Sequence, residues 1–548
     1  MTEPRTQSLL DSSCDDYIYS LAELIPTAAT DWGIPGMEGE LQDFSPEYFS
    51  AVADRARELL ADVDALEDET DADDDADDFD DVDRVTAKVL RDRLRLELDL
   101  HHDYEDMGNL NNIDSPVQDI RMAFQNMPAD EDAMRSRLSK VPAALAGYQQ
   151  SLSEAAVQGR VAPIRQIEEV KKQCDELAEP GSLLETCLAP EAEIEVAKAA
   201  FGSMRQWLSE NLAPHAPKED ACGLERYERF SKLFVGFDID FEEAYNWGLD
   251  SLQEIVEKQQ KVAEALYGEG TSVERALENL EEDPRYQLHG TAELKKWMQK
   301  TANQAIAQLN GTEFEIPEEM ATIQCLIDPA GTGGIYYTAP TDDFSRPGRM
   351  WWAVPEGQET FHTWQEKTTV FHEGVPGHHM QLGTQIASDT LNAWRRLACW
   401  NSGHGEGWAL YAESLMEELG YLDDPGYVMG YLDSQRLRAA RVVLDIGVHL
   451  GLATPEGGRW DASYARTFLQ DNTAMADANV RFELNRYLGW PGQAPSYALG
   501  QRAWRELRHD VTATGVTPQE FHSRALALGS IPMNILREEM IENSEDED

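Results

Sequence analysis

The run His372-Glu373-Gly374-Val375-Pro376-Gly377-His378-His379 puts three imidazoles and a carboxylate within eight residues. Those residue types suit a zinc ion and a proton-transferring group beside it. In the H-E-x-x-H pattern the two histidines stand four apart, so one helical face offers both rings to one ion. Here the fourth position is Pro376, and the next histidine comes two residues later. Proline lacks an N–H, and its ring collides with the carbonyl four residues back, which is that of His372. Gly377 tolerates backbone angles that other residues avoid. A break, or a two-residue bulge, is therefore expected between the imidazoles. Each residue turns a regular helix by about 100°, so without the interruption His378 would point away from His372. Two looped-out residues bring it back. His379 is the competitor, but in an unbroken helix it lies about 10.5 Å further along the axis. Zinc–nitrogen bonds of about 2.1 Å make that span hard to close, and His378 is the favoured second ligand.

The segment resembles the H-E-x-x-P-G-H signature of the bacterial domain of unknown function 885 family, which groups with the gluzincin-type zinc metallopeptidases. Gly405-Glu406-Gly407-Trp408-Ala409-Leu410-Tyr411-Ala412-Glu413 is similar to that family's E-G-W-A-x-Y-x-E segment. The run from Arg438 to His449 resembles its R-A-x-R-x-x-x-D-x-G-x-H helix, and Arg486-Tyr487 with Pro491 to Tyr497 resembles its R-Y…P-G-Q-A-x-S-Y pattern. Arg346-Pro347-Gly348 and Gly223 to Tyr227 also fit. The likeness covers most of the chain from about residue 220 onward.

A catalytic zinc keeps three protein ligands and one open position. The resemblance implies Glu406 as the third, since gluzincins often take it from an E-G-aromatic turn that opens a helix; Glu413 and His404 are the alternatives. Glu413, seven residues on, suits the outer shell, accepting the free N–H of a ligating imidazole. Glu373 is expected as general base toward zinc-activated water. Tyr497 is the first choice for stabilising the oxyanion and His449 the second. Arg441, Asp445 and His449 recur every fourth residue as one polar stripe, either a structural ion pair or a fork for a substrate carboxylate. His379, His404, Arg486 and Gln493 complete the set expected around the site. Trp351, Trp352, Trp394, Trp400 and Trp408 read as core or cleft wall.

Composition sets the outer limits. With 102 acidic against 46 basic side chains the net charge is −56. Nucleic acid and anionic membrane surfaces are disfavoured as partners, because phosphate would meet repulsion. Six cysteines show no C-x-x-C pairing and suggest neither a disulfide scaffold nor a sulfur-ligated zinc. No secretory signal or long apolar span is visible, so a cytoplasmic protein is expected.

Periodicity predicts a mainly α-helical chain: a helical N-terminal half over residues 1–225 and a catalytic half over 226–548, together one compact body. Residues 62–83, dominated by aspartate, read as a solvated loop. Three short β-prone runs within about 320–355 predict a small, mostly antiparallel sheet just before the metal helix, with Trp351 to Val354 lining the cleft as an edge strand. Zinc helices are expected over 363–450 and C-terminal helices to about 542.

The expected function is zinc-dependent hydrolysis of short peptides, of carboxypeptidase or oligopeptidase type. The rivals are a zinc amidohydrolase of amino-acid conjugates and an inactive helical peptide-binding protein.

Overall fold

Helix starts follow local chemistry. Ser8, Asp80, Asp130, Asp240 and Asn401 each turn a side-chain oxygen onto a backbone N–H of the first turn, satisfying donors that have no partner inside the helix. The computed structural model describes residues 5–72, 79–125, 127, 130–328, 334–354 and 357–545. It is mainly helical, as the periodicity predicts.

The chain divides into two compact units. The first comprises residues 1–221 with two later segments, Asp389–Ala398 and Leu488–Trp490, where the sequence suggested contiguous halves divided near 225. It contains α1 (Leu9–Leu24), α2 (Pro26–Trp32), α3 (Pro46–Ala72), α4 (Asp81–His102), α5 (Pro116–Gln125), α6 (Glu131–Val157), α7 (Ile164–Ala178) and α8 (Glu191–Trp207). Its core holds Phe44, Leu138, Tyr148, Ile167 and Phe201. The acidic 62–83 segment is not one loop: α3 continues to Ala72 and α4 begins at Asp81. Helical periodicity at Leu59, Leu60 and Val63, all buried, carries α3 into the acidic run. Residues 73–78 lie outside the described ones.

The second unit carries α9 (Leu224–Val235), α10 (Phe241–Tyr267), α11 (Val273–Glu282), β1 (Gln287–His289), α12 (Thr291–Leu309), β2 (Gln324–Asp328), β3 (Ile335–Thr338), β4 (Arg349–Ala353) and β5 (Thr360–His362). There follow α13 (Thr363–Glu373), α14 (His378–Ile386), α15 (Ser402–Glu418), α16 (Pro425–Leu450), α17 (Ala462–Asp471), α18 (Asp477–Gly489), α19 (Ser496–Ala513), α20 (Pro518–Ala527) and α21 (Met533–Glu545).

Of the three strand pairings, β1–β5 and β3–β4 are antiparallel and β2–β4 is parallel. The three-stranded sheet runs β2-β4-β3. Trp351 to Ala353 therefore lie on the central strand, and β2 and β3 are the edges. The expectation for an edge strand at Trp351–Val354 was misplaced because strand order is set by pairing across the sheet, which the sequence of a single strand does not carry.

Close helix approach sets the frame of the site. A methyl group on Gly500 would lie 2.1 Å from the carbonyl oxygen of Gly403, so only small residues let α19 press against α15. Gly430 plays the same part for α16, its absent methyl 1.9 Å from the Trp364 carbonyl of α13. Helix α15 is buried almost all round, including Trp408, Leu410 and Tyr411, as expected of a central core helix.

Candidate functional site

The interruption between the two histidines is a full break. Helix α13 ends at Glu373, the Val375–Pro376 peptide is cis, and α14 begins at His378. A methyl on Gly377 would stand 1.9 Å from the His372 carbonyl, so the return of the chain demands glycine there. Trp408 Nε1 donates to the Pro376 carbonyl at 2.8 Å and pins the turn to α15.

This turn brings the rings of His372 and His378 to 4.9 Å between centroids, nearly perpendicular. Glu406, in the first turns of α15, presents one oxygen to both: Oε2 lies 3.3 Å from Nε2 of His372 and 3.4 Å from Nε2 of His378. Ligands about 2.1 Å from a common tetrahedral centre are about 3.4 Å apart, so these separations match the edges of a zinc site. The three donor atoms all fall within 4.8 Å of one another. Burial works against charging His372, but hydrogen bonds to Glu406 and Glu413 push it up to about 10. For Glu406, burial would raise the carboxyl, yet His372 and His378 hold it well below the usual carboxylate range. A buried imidazole with a carboxylate oxygen at each ring nitrogen suits a site in which a cation replaces one of those protons.

Around the triad, Glu413 Oε1 meets Nδ1 of His372 at 2.8 Å, while its Oε2 accepts from Thr368 Oγ1 at 2.5 Å and Ser434 Oγ at 3.0 Å. His379 faces elsewhere: its Nδ1 meets the Tyr337 hydroxyl at 2.8 Å and its Nε2 the Met320 carbonyl at 2.9 Å. Burial lowers its pKa to about 4. His404 is also outside the triad, its Nδ1 3.0 Å from the Gln381 amide nitrogen. The Gln381 carbonyl oxygen in turn stands 3.5 Å from Nδ1 of His378, so His404 reaches His378 through Gln381. Burial lowers its pKa to about 3.

The triad opens into a cleft of about 390 Å³. Glu373 lines it, and burial raises its carboxyl pKa against the pull of His372 and His378. Tyr497 lines it too, its ring near-parallel to His372 at 6.5 Å and its hydroxyl accepting from Arg486 Nη2 at 3.1 Å. Gln493 accepts from the same nitrogen at 2.9 Å. Edge strand β3 contributes Ile335 to Tyr337, and Trp400 stands 6.0 Å from His378 as cleft wall.

The Arg441–Asp445–His449 stripe splits. Arg441 lines the cleft and donates to the Tyr487 hydroxyl at 2.6 Å and to Glu483 at 2.9 Å. Asp445 does not pair with it; its Oδ1 accepts from the Tyr227 hydroxyl at 2.6 Å and the Gly492 N–H at 3.0 Å. His449, expected near the oxyanion, is a core residue: Nε2 meets the Tyr487 carbonyl at 2.9 Å, and the ring stacks on Tyr227 at 5.7 Å. Helix α16 turns by about 400° over four residues, so the stripe drifts and its far end packs against α9. Sequence reasoning missed Gln381, Arg438, Glu483 and Tyr337. Gln381, Arg438 and Glu483 each stand three residues from a residue already singled out, a spacing that shares a helix face; nothing local marked Tyr337.

A family model described as bacterial protein of unknown function (DUF885) matches residues 26–540. No curated protein matches the chain. A solved structure from Colwellia psychrerythraea, described as a candidate lipoprotein, shares the fold at 22% identity and a TM-score of 0.79, covering 98% of this chain and 99% of that one. Another, from Shewanella oneidensis and described as a candidate lipoprotein of unknown function, matches at 15% identity and a TM-score of 0.70, over 98% and 100%. Among the described residues no helix is long and apolar enough to cross a membrane.

Proposed function

The chain belongs to the DUF885 family, and from that premise we propose that it is a gluzincin-like zinc metallopeptidase that hydrolyses short peptides. The observation that carries the reading is the approach of two buried imidazoles to one oxygen of Glu406, beside a buried carboxyl at Glu373 that takes no part in that triad.

His372, His378 and Glu406 would hold the ion, which when bound would polarise a scissile carbonyl and lower the pKa of water. Glu413 holds the His372 ring through Nδ1 and so directs Nε2 into the site. Glu373, adjacent in sequence to a ligand and lining the cleft, takes a proton from the attacking water and returns it to the leaving amine. The Tyr497 hydroxyl donates toward the oxygen that becomes anionic during attack; Arg486 fixes its position. The edge position of β3 suits an extended peptide, whose backbone would add to the sheet. We place the protein in the cytoplasm on the support of six unbridged cysteines.

Metal analysis together with a peptide-library digest tests the reading. Stoichiometric zinc that is lost in His372→Ala, with turnover abolished in zinc-loaded Glu373→Gln, is the expected result. A wild-type protein that retains no zinc and cleaves no peptide would overturn it.

A further inference from the structure

The chain carries a net charge of −56, yet three guanidiniums, those of Arg438, Arg441 and Arg486, line the same cleft as the triad. Buried cations need partners. Of the three carboxylates on the same lining, Glu373, Glu406 and Glu483, Glu406 is engaged with the two imidazoles, and Glu483 meets part of the need. It pairs with Arg441 at 2.9 Å and with Arg486 at 3.6 Å. It also accepts from the Tyr487 hydroxyl. One carboxylate thus serves two guanidiniums, while Arg438 donates to the hydroxyl and carbonyl oxygens of Ser434 through Nη1. Among the described residues, Nη1 of Arg441 and Nε of Arg438 are buried donors on this wall that meet no hydrogen-bond partner. Arg441 is held over the Tyr497 ring, its Cζ 4.6 Å from the centroid. Buried guanidinium donors left unmet on a cleft wall are a mark of a carboxylate receptor, since planar forks match a carboxylate in two bonds.

Resting on the hydrolase reading for what happens at the triad, we propose that this arginine wall takes a peptide carboxylate, and that the carboxylate is the substrate's own C-terminus. Geometry limits the length of the piece beyond the cut. Arg441 lies 4.6 Å from the Tyr497 ring and that ring 6.5 Å from His372. The two sites can thus be no more than about 11 Å apart, the span of roughly three extended residues. The protein would therefore release fragments of one to three residues from the C-terminal end.

The test uses the zinc-loaded full-length protein and a set of matched peptides: free acid, C-terminal amide, and versions exchanging an internal Glu for Gln. Binding is read by calorimetry and products by mass spectrometry. The expected result is that amidation weakens binding by at least about tenfold, that short C-terminal fragments are released, and that Arg438→Gln narrows the difference between acid and amide. Sensitivity to Glu→Gln exchange, with none to amidation, overturns the C-terminal assignment and gives the wall to an acidic side chain. Equal binding of every form overturns the receptor altogether. Because binding is read apart from cleavage, an acid-over-amide preference in a protein that hydrolyses nothing sinks the hydrolase reading, with the fragment release that rests on it, and spares the carboxylate receptor.

Discussion

Glu413 Oε1 lies 2.8 Å from Nδ1 of His372, which leaves Nε2 as the ring nitrogen that faces Glu406. The same carboxylate is anchored at its other oxygen by Thr368 and Ser434. The side chain is fully enclosed and so works as a fixed orienting group.

Weakening that group should loosen metal binding without unfolding the chain. Glu413→Gln is expected to lower zinc affinity by about 10–100-fold, measured by competition with a chelator. An unchanged affinity would remove Glu413 from the role.

The turn between α13 and α14 should be intolerant of a single methyl. Gly377→Ala would set a carbon 1.9 Å from the His372 carbonyl and is expected to cost about 3 kcal/mol or more, with loss of zinc. Gly202→Ala, inside α8 with nothing within 4 Å of the added carbon, should instead stabilise by about 0.5–1 kcal/mol. Denaturant titration of both variants checks the contrast.

Stability should fall as pH rises toward neutrality, with Asp445 as one cause. Burial pushes its carboxyl up to about 7, against the hydrogen bonds from Tyr227 and Gly492. A group whose folded pKa is raised contributes stability that is present below its unfolded pKa and lost as pH climbs through the folded one. The window therefore runs from about 4, the ordinary aspartate value, to about 7. Asp445→Asn should flatten the stability profile across it by a few kcal/mol, at roughly 1.4 kcal/mol per pH unit. Melting curves from about pH 4 to 8 with the same slope in both proteins would contradict this.

If Tyr497 donates to the developing oxyanion, Tyr497→Phe should cut turnover by about 10²–10³-fold while leaving zinc content intact. An undiminished rate constant, measured on a peptide the wild type cleaves, would return Tyr497 to the status of a packed aromatic.

Much of this site was legible along the chain. The proline and glycine between His372 and His378 announce a break, because one removes a helical donor and the other fits where a methyl cannot. Glu413, seven residues beyond Glu406, falls on the same helical face. The mainly helical architecture and the three short strands are likewise written in local periodicity. For His449 and Asp445, identity and spacing say which face of α16 they occupy, and not which neighbour covers it.

What the sequence by itself determined is the set of donor types and the local turns that carry them, since those depend on backbone chemistry over a few residues. The tertiary structure decided the rest. The approach of His378, and not His379, to Glu406, the edge position of β3, the separation of Asp445 from Arg441, and the gathering of Arg438, Arg441 and Arg486 along one cleft all depend on packing between segments distant in the chain. Strand order and helix crossing are settled by which surfaces bury each other, and no stretch of residues holds that information alone.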